Sequence, residues 1–364
     1  MRMRSSILLI GAMFLGCSNS NPSGPSGPSG PVVGWHDAGL VLSAADQSAG
    51  GVQWLSSVGN RIIASTASGE VFLGQQGSTH WDSVPFPGND LVYTQTSIDS
   101  SVYFGTRTTG QLWQLTFPGK TWTNMSLGLS GKIEVDYITS WRGEIATSTF
   151  NLTDASVGAF WGHANSWTDI SRGWLTNGDD ATTAIGIDSM LFAATYSDGL
   201  LRRSFSDSSW SQVPNPIVPI LQANNQFSPG TLDKPRSLAW YHGNLWVGYL
   251  IWGQIVHTIG IDTPWIPTTI DSGKNPGRNL PQDIMTLFVW NDRLFAGGQS
   301  TSTPMVLKEG VGWEYLSQNW GGSDNGSGSV CSVDITLAFA AIGDTLYAAG
   351  CGHVFKLPWS LVPQ

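Results

Sequence analysis

The groups with which this chain could do chemistry are few and widely spaced. Its 364 residues hold three Cys, six His and 26 Asp plus Glu. No two of His36, His80, His163, His242, His257 and His353 stand at the short spacing of a helical zinc site, and no Cys-x-x-Cys occurs. No Gly-x-Ser-x-Gly elbow presents a serine nucleophile. Asp324-Asn325-Gly326 and Asn177-Gly178-Asp179-Asp180 carry oxygen ligands of the kind calcium takes, but such runs read first as tight turns. No metal, cofactor or catalytic residue is therefore assigned. Two sets of side chains remain. Asp136, Asp188, Asp283 and Asp334 could serve acid–base chemistry if a fold brought them to one mouth. Trp174, Tyr249, Trp252 and Trp320 are ligand-binding candidates. Aromatic faces in loops stack on sugar rings or anchor a protein partner.

The elements that would position these residues follow from a repeat. Seven times a short turn leads into an apolar strand, anchored at Ile62, Val102, Ile145, Leu191, Leu245, Leu294 and Leu346. Successive anchors lie between 40 (62→102) and 54 (191→245) residues apart. A Trp follows six of them: Trp81, Trp122, Trp167, Trp210, Trp265 and Trp313. The anchor-to-Trp interval is nearly constant, from 19 (62→81) to 22 (145→167) residues. The Trp-to-anchor interval varies from 21 (81→102) to 35 (210→245). Constant intervals are packed hairpins and variable ones hold surface loops. A repeat of this length built only of strands and turns predicts radial blades. The outer-repeat Trp residues are read as wedges between blades, and Trp246 and Phe295 as core.

The last repeat lacks its Trp at the usual distance, while Gly34-Trp35-His36-Asp37 at the other end has no anchor before it. Counting Trp35 as the missing member predicts an all-β fold, a seven-bladed β-propeller whose N-terminal strand closes the last blade. Cys331 and Cys351 then flank the first two strands of that blade at one end. In an exported protein this spacing predicts a disulfide, worth roughly 3 kcal/mol for a loop of about 20 residues.

Composition bounds the rest. Only 12% of residues are charged, Gly (44) and Trp (18) are abundant, and the net charge of −9 excludes nucleic acid as a partner. Three segments are expected: 1–17, 18–31 and 32–364. In the first, a basic Met1-Arg2-Met3-Arg4 and an apolar run from Ile7 to Leu15 end in Leu15-Gly16-Cys17. This resembles a bacterial lipoprotein signal, with Phe14 where Leu is usual. The resemblance implies lipidation (palmitate) at Cys17, which becomes the first residue of the mature chain, and a membrane anchor through the N-terminal lipid. Ser18 implies the outer membrane if the cell is Gram-negative. Residues 18–31, rich in Pro, Gly and Ser, are a spacer with a reach of roughly 20 Å, and 32–364 is the propeller.

Gly69-Glu70-Val71-Phe72, Gly110-Gln111-Leu112-Trp113, Gly119-Lys120-Thr121-Trp122 and Gly352-His353-Val354-Phe355 resemble bacterial propellers with Asp-box or regulator-type repeats. Phe117 stands where the box Asp belongs. Sialidases share this repeat, but their Arg-Ile-Pro motif is absent, so no glycosidase activity is carried over. The expected function is binding or scaffolding at the cell envelope, with a protein or carbohydrate ligand on the loop-rich face. The alternatives are a polysaccharide hydrolase or lyase acting at the central mouth and a structural envelope component.

Overall fold

The computed structural model describes residues 34–48, 51–88, 90–129, 134–151, 156–174, 181–196, 198–214, 234–250, 254–261, 264–268, 283–299, 304–316, 336–350 and 352–363. They form seven four-stranded antiparallel sheets, each numbered here as a blade in chain order. The innermost strands are Val52–Val58, Val92–Ile98, Glu134–Trp141, Ala181–Ile187, Pro235–Tyr241, Asp283–Trp290 and Ala338–Ile342. Each touches the innermost strands of both neighbours, so the blades close into a ring. The anchors lie on the second strands, which are almost wholly buried.

The tight turns joining first and second strands explain the start of each repeat. A residue of positive φ stands in every one: Gly59, Asp99, Arg142 with Gly143, Asp188, His242 with Gly243, Asn291 with Asp292, and Gly343. Such φ values match the twist of a two-residue hairpin turn to the right-handed twist of its strands.

Closure is as the sequence predicts. His36 pairs with Lys356 and Asp37 with Phe355, so the N-terminal strand becomes the outer strand of blade 7. Trp35 is buried with Phe295, Phe339, Leu346 and Phe355, bridging blades 6 and 7.

The Trp of the outer strands is a strut as well as a wedge. Trp81 Nε1 donates to Ala38 O of the preceding blade at 3.0 Å, Trp167 to Met125 O at 3.0 Å and Trp210 to Ile170 O at 2.8 Å. Trp313 Nε1 donates to Thr268 Oγ1 at 3.2 Å. In each case the indole body fills the gap between blades and its one donor is satisfied across that gap.

Blades approach closely where side chains are small. Three residues beyond each anchor stand Ser65, Gly105, Ser148, Ala194, Gly248, Gly297 and Ala349. A Cβ on Gly105 would meet Val135 Cγ1 at 2.6 Å, one on Gly248 would meet Ile284 Cγ2 at 2.5 Å, and one on Gly297 would meet Thr336 Cγ2 at 2.5 Å. Each of these partners lies at the start of the next blade, so the small side chain lets that strand pack against its neighbour.

Deleting residues 32–40 will test closure. It bares the edge of His353–Pro358 and removes Trp35, whose truncation alone costs about 3–5 kcal/mol when buried. The whole ring should melt at a lower temperature in one transition by circular dichroism. An unchanged melting temperature would refute the role of this strand.

Candidate functional site

One end of the strands carries the tight turns between first and second strands, and the other carries the variable loops. At the loop end, every innermost strand begins and every second strand ends. This is the mouth of the ring.

The innermost strands of blades 1 to 6 share a β-bulge at their second or third residue. The register steps over Gln53, Tyr93, Asp136, Thr182, Arg236 and Met285. An extra residue in one strand is left out of the ladder, and its side chain is re-aimed. Five of the six are polar, and all six stand at the same level of the ring.

Their partners fix them. Thr182 Oγ1 donates to Pro235 O of blade 5 at 3.0 Å, tying two bulges together. Asp136 is buried and accepts from Ser148 Oγ at 3.1 Å; Glu134, two residues earlier, is also buried. The Arg107 guanidinium lies 5.4 Å from the Tyr93 ring centroid, and Lys234 Nζ lies 3.7 Å from that of Tyr196. Both are cation–π pairs.

Asp90, just before the innermost strand of blade 2, braces that blade's second-to-third-strand loop at the mouth. It accepts from Thr108 N at 3.1 Å, from Thr109 N at 2.8 Å and from Thr109 Oγ1 at 2.6 Å, and also from Thr108 Oγ1. Burial pushes its carboxyl up, but the bonds from Thr108 and Thr109 outweigh that and hold it below the usual aspartate value.

Asp283 differs. It stands at the start of the innermost strand of blade 6. Burial raises its pKa to about 6, while the Arg236 charge from blade 5 pulls the other way. The mouth therefore sets a carboxyl that protonates in mild acid beside a permanent cation, with the Tyr93 and Tyr196 rings on other blades of the same end. That arrangement can hydrogen-bond hydroxyls and carboxylates and stack on rings.

Of the four carboxylates singled out from sequence, Asp136 and Asp283 come to this mouth. Asp188 lies at the opposite end, in a tight turn with φ 50. Asp334 lies outside the described residues. Trp174 is half-buried, stacked 6.4 Å from Tyr137 and edge-on to Trp210 at 4.8 Å. Tyr249 is 2% exposed, among Leu245, Val247 and Val256 in the core. Trp252, Trp320, Cys17, Cys331 and Cys351 lie outside the described residues.

Sequence reasoning missed the bulge ring. Its signal is an interval: Gln53, Tyr93, Asp136, Thr182, Arg236 and Met285 each stand nine residues before an anchor (62−53, 102−93, 145−136, 191−182, 245−236, 294−285).

No family model matches this chain, and no curated protein does. Solved structures do. The chain is similar to the extracellular domain of BT4673 from B. thetaiotaomicron, a protein assigned to the hybrid two-component systems. The TM-score is 0.65 at 14% identity, over 89% of this chain and 39% of that one. The chain thus spans well under half of that protein. It is similar to YCF48 in complex with a D1 peptide (TM-score 0.56, 8% identity, 85% of this chain and 94% of that one). It is also similar to the computationally designed Ika8 protein (TM-score 0.53, 10% identity, 85% and 96%). At these identities the likenesses establish the fold alone.

The Asp283 carboxyl sets a pH dependence. Its pKa rises from 3.8 to about 6 on folding, so the native state binds the extra proton. Stability at this site is full below pH 4, falls as pH rises through the window from 4 to 6, and stays reduced above it. Asp283→Asn should be more stable than the parent at pH 7.5 in urea denaturation. The difference should vanish below about pH 4. A difference independent of pH would refute the assignment.

Proposed function

We propose that this chain is an exported, lipid-anchored envelope protein whose propeller binds a protein or a glycan at the mouth formed by the bulge ring. The carrying observation is the set Tyr93, Asp136, Thr182 and Arg236 at one level of the ring, with Asp283 two residues before the bulge of blade 6. The cation–π pairs Arg107–Tyr93 and Lys234–Tyr196 stand beside it. Pre-paired charges and braced loops present donors and ring faces without an ordering cost at the moment of binding. Two neighbours of like fold agree with the reading. One is an extracellular domain, and the other is bound to a peptide. Trp174 stands at the same end and extends the proposed surface; Trp252 and Trp320, which lie outside the described residues, are proposed as further members from the sequence alone.

A second reading, a polysaccharide hydrolase or lyase, draws on Asp283. A carboxyl held protonated to about pH 6 meets the requirement for a general acid near neutrality. Turnover of any bound glycan separates the two readings.

The full chain should be screened on a glycan array and by pull-down from envelope fractions. For each ligand found, Arg236→Ala and Tyr93→Ala should weaken binding at least tenfold, about 1.4 kcal/mol, with melting unchanged. Binding that survives both substitutions would overturn the site.

The anchor rests on Leu15-Gly16-Cys17. Cys17→Ser should release the protein from membranes and leave an uncleaved precursor. Unaltered partition and processing would refute lipidation.

A further inference from the structure

We infer that the tight-turn end of blades 4 to 7 is a membrane-facing arc, and that the lipid-anchored protein rests on the bilayer with its mouth turned outward. The inference rests on the anchored reading above.

The first observation is a sequence of exposed apolar side chains. The turn between third and outer strands carries Phe205 in blade 4, Ile259 in blade 5 and Val311 in blade 6, exposed at 43%, 57% and 52%. At the matching place in blade 7, Leu361 is 42% exposed. Val289, beside the tight turn of blade 6, adds to the same face. The corresponding turns of blades 1 to 3 are different. They read Gln76-Gly77-Ser78-Thr79, Phe117-Pro118-Gly119-Lys120 and His163-Ala164-Asn165-Ser166, and Phe117 is buried. Among the described residues, this end of the ring exposes large apolar side chains only in four consecutive blades.

The second observation is where the chain leaves the ring. The outer strand of blade 7 is His36–Asp37, and its start lies at the same end as these turns. A Cβ on Gly34 would touch Leu361 Cδ1 at 3.6 Å, so the chain departs beside the last member of the arc. Cys17 lies 17 residues before Gly34, and a stretch rich in Gly, Ser and Pro of about that length spans roughly 20 Å. An anchored lipid at Cys17 therefore holds this end of the ring, not the mouth, within reach of the bilayer.

The third observation concerns charge. Asp292 and Glu309, between the apolar residues of blades 5 and 6, are engaged by His242 at 2.7 and 3.1 Å. Asp344 faces Gln76. Asp188 and Asp207 of blade 4 stand at the same end. Acids here repel anionic headgroups, so contact is driven by apolar burial in the interface. Insertion is shallow, on the order of 5–10 Å.

Hydroxyl-radical footprinting of the full lipidated chain tests this. The chain is compared on phosphatidylcholine vesicles and, as Cys17→Ser, free in solution. Oxidation of Ile259, Val311 and Leu361 should slow roughly threefold or more on vesicles as the side chains leave water. Val41 and Leu127, exposed at 85% and 68% on loops at the other end, should keep their rates. Co-flotation without this contrast would overturn the arc and leave the anchor standing. Protection of the arc in the free Cys17→Ser chain that disappears on dilution would assign it to a second copy instead. Failure of the lipidated chain to float would overturn the anchor and the arc together.

Discussion

The whole structure depends on two residue pairs, His36 with Lys356 and Asp37 with Phe355. Six blades are each complete within a local stretch of chain. The seventh has only three local strands and borrows its fourth from the opposite end of the sequence. Without that strand the ring keeps an unpaired edge and loses Trp35, the wedge between blades 6 and 7. The seam is tight as well as paired. Gly51, with φ 67, passes so near Gly352 that a Cβ would lie 2.1 Å from its Cα. Here backbone packs on backbone, and only glycine allows it.

Around the rest of the ring the same two devices recur with different residues. Small side chains three positions past each anchor admit the neighbouring innermost strand, and outer-strand indoles bridge neighbouring rims. The tight-turn end adds a latch, in which a turn of one blade reaches the hairpin of the blade before it. Arg142 lies over Phe205 at 4.4 Å, Arg61 over Phe117 at 5.2 Å, and Trp359 packs edge-on to Trp290 at 4.9 Å. The contacts are chemically unlike but geometrically equivalent. Equivalence of place, not of residue, makes seven degenerate repeats one ring.

This explains what was legible in the sequence. Ile62 and its counterparts are readable because a buried second strand tolerates only apolar residues, and each lies at a fixed distance from a Trp. Trp35 was readable because it completed a count. The site was not readable in the same way. Asp136 and Asp283 could be named as carboxylates, but nothing in their chemistry links them to Gln53, Thr182 or Met285. A bulge imposes a backbone position and leaves the side chain free, so its members share an interval and no residue type. Tyr249 shows the converse. It follows Gly248 at the end of a strand, next to a loop aromatic, and its neighbours in sequence suggested display. The second strand is buried on both faces between neighbouring blades, and Tyr249 at its end is 2% exposed.

The two ends of the ring do different work because their connections obey different constraints. Hairpin turns between first and second strands are two residues long and need positive φ, so their sequence is largely spent on geometry. The connection from an outer strand to the next innermost strand crosses the full width of a blade. It can lengthen at small entropic cost, since doubling a loop adds only about 0.6 kcal/mol. Chemical variety therefore collects at the mouth, where the bulges give it a common level and Asp90 and the Thr182–Pro235 bond give it rigidity. A carboxyl such as Asp283 can then be kept part-buried beside Arg236 at some expense to folding, because the ring beneath it supplies the stability.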